Sequence, residues 1–232
     1  MTAAAFSPNA TARIAGALYL AVVVLSIYAL GAVGGVIEPH DPAATAHNLA
    51  GRLSEFRLAV VANLVAGLCY IAVVGLLNEL LRPVQPALSR IAVLFGLGGC
   101  IIGASTAALQ LSATGATGAA APVAHALLLT AVRANAVSLT LFGCYCLLLG
   151  WLVFKSGFIP SLLGVLLMVS GATWLAGNLA ILVEPQLAGR FLLIVGVAAL
   201  GEILFTLWLL LRGVDPDRWR ASVRPASPPR DN

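Results

Sequence analysis

Six long apolar runs divide this sequence, and they constrain its fold more than any other feature. Each run has about the 20 residues that a helix needs to cross a bilayer, and short segments rich in proline and charge separate them. Charged residues make up only 9% of the 232 residues, against about 25% in soluble domains. We therefore predict an all-α polytopic membrane protein, a bundle of six transmembrane helices. The predicted spans are 14–37, 58–81, 91–111, 134–154, 160–183 and 187–211.

The segment between the third and fourth spans, residues 112–133, is too long for a tight turn. Within it, residues 122–131 are apolar but too few to cross a membrane. We therefore predict a short interfacial or re-entrant helix between helices 3 and 4.

Lysines and arginines are distributed unequally over the two ends of the predicted bundle. Nine lie at the end that holds both termini and four at the other end. The positive-inside rule then predicts two cytoplasmic termini. Three parts follow: an N-terminus over residues 1–13, a transmembrane domain over 14–212, and a disordered basic tail over 213–232. The net charge of +4 indicates contact with membrane lipids, and we expect no nucleic-acid partner.

Four cysteines, Cys69, Cys100, Cys144 and Cys146, lie inside apolar runs rather than in loops. Cys144 and Cys146 point about 200° apart on a helix, so they cannot form one metal-binding face. No HExxH, GxSxG, Walker or CxxC motif occurs. We expect no metal, no cofactor and no disulfide, with the cysteines serving as small buried residues.

Small residues recur four apart in two of the runs, as Gly31 with Gly35 and as Gly99 with Gly103. This spacing lets neighbouring helices approach closely and pack by van der Waals contact. It predicts helix–helix contacts and carries no information about chemistry.

Several segments together resemble a known family. They are ARIAGALYL near the N-terminus, DPAATAHNLA and FRLAVVANL before the second span, LNELLRPV after it, FGCYCLLLGWLVFKSGFIPSLLGVLLMVSG, and GEILFTLWLLLRGV at the end. The chain resembles the bacterial membrane proteins grouped as domain of unknown function 4386, over about residues 12–214. The resemblance implies a six-helix fold in the bacterial cytoplasmic (inner) membrane, and it implies no activity. The third helix, LFGLGGCIIGAS, lacks the arginine and glutamate that members often carry.

Glu202 stands near the middle of the last apolar run. A carboxylate at that depth costs about 2.5–3.5 kcal/mol on insertion scales, and such residues usually face the bundle interior. Counting helical turns brings four side chains to a similar depth, none of them basic: Tyr70, Cys100, Tyr145 and Ser170. We therefore expect Glu202 to be protonated at rest, and hydrogen-bonded to a tyrosine, a serine or a backbone carbonyl. It is the candidate ligand-binding or catalytic group, and a structural acid tying helix 6 to a neighbour is the alternative.

A second polar set lies near the ends of the helices opposite the termini. Arg57, Asn63, Arg133 and Asn178 are its candidate ligand-binding members, accompanied by Gln110, His125, Asn135, Glu184 and Arg190. If these side chains converge, they form a polar vestibule above an apolar bundle. The alternative is ordinary interfacial snorkelling, although the amides Asn63 and Asn178 need partners in a dry environment.

Three functions fit this pattern. The first is binding or transport of a small apolar or weakly basic molecule through Glu202, with a cavity lined by helices 2, 4 and 6 and with a homodimer to offset the small size. The second is a membrane-embedded enzyme that acts on a lipid or isoprenoid, with Glu202 as general acid and Tyr70, Tyr145 or Trp174 stabilising a cation. The third is a non-catalytic assembly or regulatory protein in which Glu202 is fully satisfied and no cavity exists.

Overall fold

A computed structural model describes residues 7–116 and 120–223, and all regular structure within these ranges is helical. Six of the helices are long and apolar enough to cross a membrane, which confirms the predicted fold class. The helices are α1 (Pro8–Gly34), α2 (Pro42–Gly51), α3 (Leu53–Leu81), α4 (Pro86–Ala113), α5 (Ala121–Ser156), α6 (Ser161–Val183), α7 (Phe191–Leu211) and α8 (Pro216–Val223). A short 3-10 helix, Pro185–Arg190, precedes α7.

The spanning helices α1, α3, α4, α5, α6 and α7 form a closed ring. Each packs against its neighbours in chain order, and α7 returns to pack against α1. We call the end where α1 begins and α7 ends the terminal end. There the backbone N–H of Val214 donates to Asn9 Oδ1 at 3.1 Å. The other end, which carries α2, is called the opposite end.

Several spanning helices extend beyond the apolar runs that predict them. α1 begins at Pro8, where Ser7 caps it by accepting a hydrogen bond from the Ala10 N–H at 3.2 Å. α4 likewise begins at Pro86. Proline is favoured in a first turn because its missing N–H would lack a helical partner there. Hydropathy marks the part of a helix that contacts lipid, whereas the caps decide where the helix begins.

The separate interfacial or re-entrant helix predicted between the third and fourth spans is not confirmed. Residues 121–133 are instead the first turns of α5, a continuous helix of 36 residues. At about 1.5 Å per residue it is about 54 Å long, well beyond a bilayer core of about 30 Å. Ala124 and Leu128 on this extension are buried in an apolar cluster that includes Leu49 of α2. That contact explains why the helix continues past the membrane. Residues 117–119 lie outside the described residues.

The seam between α5 and α6 is built from glycines on both helices. Gly143 and Gly150 on α5 meet Gly171 and Gly164 on α6 so closely that an added methyl at any of the four would lie 2.5–2.7 Å from backbone atoms of the other helix. The glycines predicted to pack behave differently. A methyl at Gly31 would meet open space, and Gly99 and Gly103 face side chains of α5, not its backbone. The spacing rule therefore finds side-chain pockets at Gly99 and Gly103, but it misses the α5–α6 seam, whose glycines are seven apart within each helix.

The predicted disordered tail is partly wrong, because residues 216–223 form α8. The indole N–H of Trp219 donates to the carbonyl of Leu80 at 2.9 Å, and Arg218 donates to the carbonyl of Gly157 at 3.1 Å. These bonds satisfy carbonyls at or just past helix ends, which have no helical partner. They attach α8 to the terminal end of the bundle. Residues 224–232 lie outside the described residues.

Candidate functional site

A buried hydrophobic cluster, mostly aliphatic but including aromatic and cysteine side chains, lies inside the ring, and we call it the central cluster. Each of the six spanning helices contributes to it. Tyr19 of α1 and Tyr145 of α5 are 1% and 2% exposed, so their polar hydroxyls lie in an apolar interior. The representative residues are Tyr19, Tyr70, Cys100, Tyr145, Cys146, Leu167 and Phe205.

Glu202, on α7, lies beside this cluster and joins three helices. Its Oε2 accepts a hydrogen bond from the Tyr19 hydroxyl of α1 at 2.8 Å. Its Oε1 accepts one from the indole N–H of Trp174 of α6 at 2.5 Å. The carboxyl group therefore ties α7 to both of its neighbours in the ring. The predicted hydrogen bond to a tyrosine is present, with Tyr19 as the partner.

The protonation state of Glu202 sets the direction of its bond to Tyr19. An indole N–H can only donate, so Oε1 is an acceptor in either state. In the ionised state the Tyr19 hydroxyl donates to Oε2. In the protonated state Oε2 carries the proton and donates to Tyr19, whose own hydrogen can then turn to the Tyr70 hydroxyl at 3.5 Å. Tyr19 can thus satisfy either form without moving its ring.

The aromatic rings around Glu202 pack edge to face. The ring of Tyr70 lies 5.4 Å from that of Tyr19, 4.7 Å from that of Phe142 and 5.9 Å from that of Tyr145. These separations fall in the range in which aromatic pairs attract each other beyond their area burial. Rings arranged this way present negatively charged faces and polar hydroxyls in one region, which suits an organic cation.

Glycines on α4 provide the space for two of these rings. A methyl group at Gly96 would lie 3.2 Å from the Tyr145 ring, and one at Gly99 would lie 3.0 Å from the Phe142 ring. Both glycines are buried. At these two positions α4 has no side chain, so the aromatic rings of α5 can fill the interior.

No positive charge accompanies Glu202 among the residues that the structure describes. Three ion pairs occur there, and all three lie at the terminal end on exposed side chains. One is the i,i+3 pair of Glu79 and Arg82, at 4.0 Å. Ser170, which turn counting placed near Glu202, donates instead to the Leu166 carbonyl of its own helix at 3.0 Å.

Within the described ranges, no hydrogen bond or ion pair joins the four candidate residues of the predicted polar vestibule to one another. Arg57 and Arg133 are exposed, and neither has a hydrogen bond or ion pair within the described ranges. Asn63 is partly buried. Asn178 is fully buried, and its side-chain amide donates to the Trp174 carbonyl at 2.8 Å. Of the four, only Asn178 adjoins the Glu202 site, one helical turn beyond Trp174.

Sequence reasoning did not single out Tyr19. Turn counting places Tyr19 near the start of the first span, at a different depth in the membrane from Glu202. Its long side chain spans that difference in depth and reaches the carboxyl group. Trp174 was considered as a ring that stabilises a cation and not as a hydrogen-bond donor. Both residues could have been found by asking which donors inside spans can reach a carboxyl group, because Tyr and Trp are the donors that apolar helices carry most readily.

All four cysteines are free. Within residues 7–116 and 120–223, no three His, Cys, Asp or Glu side chains form a group that could hold a metal ion. The chemistry that the site offers therefore comes from one carboxyl group, two hydrogen-bond donors and a set of aromatic rings.

Comparison with known proteins places the chain in a family without a described function. The profile of the family described as "Domain of unknown function (DUF4386)" matches residues 14–213, and the chain belongs to this family. An uncharacterized protein of Archaeoglobus fulgidus is 34% identical over 74 residues, which are 31% of this chain and 41% of that protein. No solved structure matches the chain.

Proposed function

For this member of the DUF4386 family, we propose that Glu202 is an intramembrane site at which a proton exchanges with a small, weakly basic and largely apolar molecule that the protein binds or transports. One observation carries the proposal. Glu202 is partly buried beside the central cluster and hydrogen-bonded to Tyr19 and Trp174, with no cationic partner among the described residues. An intramembrane acid of this kind usually serves a ligand or proton pathway.

The surroundings of Glu202 suit a cation with apolar substituents. A positively charged nitrogen would supply the charge that the carboxylate lacks, in a region of low dielectric where such a pair is strong. The rings of Tyr19, Tyr70 and Tyr145 would contact the apolar part and attract the charge through their faces. Binding of the cation then releases a proton from the acid.

A ligand at Glu202 would also change how α7 is held. The same carboxyl group bonds to α1 through Tyr19 and to α6 through Trp174. A ligand that competes for the carboxylate weakens these bonds and loosens α7 from its neighbours. A carrier needs such a coupling between its site and a helix that moves.

We also propose that the protein lies in the bacterial cytoplasmic membrane with both termini in the cytoplasm. Charge supports this orientation, since the terminal end carries seven basic and three acidic side chains within the described ranges, whereas the opposite end carries four of each. The positive-inside rule counts lysines and arginines, and seven at the terminal end against four at the opposite end favour a cytoplasmic terminal end. A green fluorescent protein fused to the C-terminus should fluoresce, and a dark, correctly inserted fusion would reverse the orientation.

Binding of benzyltrimethylammonium to the purified protein tests the site. This probe has a fixed charge, so any effect of pH on its Kd reports on the protein. We expect the Kd to fall as pH rises, because the probe competes with a proton for Glu202. Glu202→Gln should bind about tenfold or more weakly, since it removes the charge of a buried pair, and should lose the pH dependence.

The control for this experiment is Glu79→Gln, which removes an exposed acid at the terminal end. It should bind the probe like the wild type at every pH. Equal binding by the wild type and Glu202→Gln would contradict the proposal, as would a Kd that does not change with pH.

A second candidate is the non-catalytic one, an assembly or regulatory protein in which Glu202 only ties helices together. The observation in its favour is that both carboxyl oxygens already accept a hydrogen bond. A carboxylate can accept further bonds, however, because its two oxygens offer about four acceptor positions. The enzymatic alternative, with Glu202 as general acid on a lipid or isoprenoid, needs space for a substrate at the carboxyl group just as ligand binding does, and no further observation favours it.

A further inference from the structure

A small cavity lies between α3, α4 and α5, on the terminal-end side of the central cluster. The space open to the centre of a water molecule is about 10 Å³, roughly what one bound water requires. Seven of its ten lining residues are apolar, and the other three are Asn78, Ser89 and Tyr145. The cavity therefore has the size for one water and three polar side chains in its wall.

These three side chains leave hydrogen-bonding capacity unused. The Ser89 hydroxyl donates to Asn78 Oδ1 at 2.8 Å, so the amide N–H groups of Asn78 and the lone pairs of Ser89 remain available. Tyr145 is 2% exposed, and its hydroxyl has no hydrogen-bond partner within the described part of the chain. Buried hydroxyls almost always have a partner.

We propose that one water molecule binds in this cavity, between the Tyr145 hydroxyl and the Asn78–Ser89 pair. The wall offers the water both donors and acceptors, and a buried water typically makes two to four hydrogen bonds. Asn78 lies beside the exposed Glu79–Arg82 pair that ends α3. The water site is thus the inner end of a short polar path from the terminal surface.

The water site ends at Tyr145. The Tyr145 ring packs against that of Tyr70 at 5.9 Å, but within the described part of the chain its hydroxyl bonds to no protein group. The water is therefore separate from the hydrogen bonds that join Tyr70, Tyr19 and Glu202, and its site does not rest on the proposed function.

A structure of the full chain in a lipidic mesophase, at a resolution that shows ordered water, tests the site directly. We expect density within hydrogen-bonding distance of the Tyr145 hydroxyl and of Asn78 or Ser89. Tyr145→Phe keeps the ring and removes only this hydroxyl, so the density should weaken or vanish in that variant. A wild-type cavity without density, or a Tyr145 hydroxyl bonded to a protein group, would overturn the site.

Tyr28→Phe, which removes an exposed hydroxyl on α1, is the control. Its cavity should show the same density as the wild type, and a loss of density in both variants would mean that the Tyr145 hydroxyl does not hold the water.

Discussion

Helix α6 is held in different ways on its two sides. Towards α5 the backbones touch through Gly143, Gly150, Gly164 and Gly171. Towards α7 a methyl at Gly201 would also meet the α6 backbone at Leu166, and in addition the indole of Trp174 reaches the carboxyl group of Glu202. The glycine seam depends on shape alone, which no change of pH or ligand alters. The seam with α7 includes a carboxyl group for which a ligand can compete, so we assign the fixed part of the bundle to α5–α6 and the responsive part to α7.

The largest effect is expected from Gly164→Ala, which places a methyl group 2.5 Å from the Phe154 backbone nitrogen of α5. The two helices must separate, which should lower the free energy of unfolding by about 1–3 kcal/mol. Thermal unfolding in detergent measures the loss. Gly67→Ala on α3 is the matched control, because a methyl there meets open space, and it should leave stability unchanged or raise it. Equal losses in the two variants would contradict a rigid α5–α6 seam.

The next largest loss of stability is expected from Glu202→Ala, and Glu202→Gln is its matched comparison. Alanine leaves the Tyr19 hydroxyl and the Trp174 N–H without their acceptor, which should lower the free energy of unfolding by about 2 kcal/mol. Glutamine keeps an acceptor and has no charge, so it should be close to the wild type if the resting acid is neutral.

Thermal unfolding of both variants beside the wild type shows whether the resting acid is neutral. A Glu202→Gln protein as unstable as Glu202→Ala would show that the seam requires a charged carboxylate at rest, and our expectation of a neutral acid would be wrong. Two variants as stable as the wild type would show that α7 is held by packing alone.

The smallest effect is expected from Trp219→Phe, which removes the indole N–H from the Leu80 carbonyl. The loss should be about 1 kcal/mol, the net worth of one hydrogen bond, because most of the ring contact remains. Trp151→Phe is the control, since Trp151 is exposed on α5. If the two variants unfold alike, α8 does not stabilise the bundle, and the terminal end is held by the helices alone.

The six spans could be predicted because bilayer thickness fixes the length of each apolar run. What lies outside the bilayer could not be predicted from hydropathy. The short helix α2 was not predicted, although Asp41 and Pro42 are residue types that favour the start of a helix. The extension of α5 is stabilised by contact with α2, and α8 by a bond from Trp219. These elements exist because of distant partners that no local pattern reveals.

Within the site, Glu202 could be identified because placing a carboxyl group in hydrocarbon costs free energy, but its hydrogen-bond partners could not be identified. The partners depend on the rotation of α1 and α6 about their axes and on the reach of Tyr19 and Trp174. Turn counting gives depth only, and it did bring Tyr70 and Tyr145 to the level of the central cluster. Gly96 and Gly99 are important because aromatic rings of α5 fill the space beside them. The sequence of α4 alone does not show which rings these are.

Native mass spectrometry of the detergent-purified protein, wild type beside Glu202→Gln, tests the role of Glu202 most directly. We predict that the wild type carries a small, weakly basic molecule that the variant has lost, and the intact mass also reports whether the chain forms the expected homodimer. Two equally folded proteins, both without such a molecule or both with the same one, would contradict a ligand at Glu202 and leave the carboxyl group as a tie between helices.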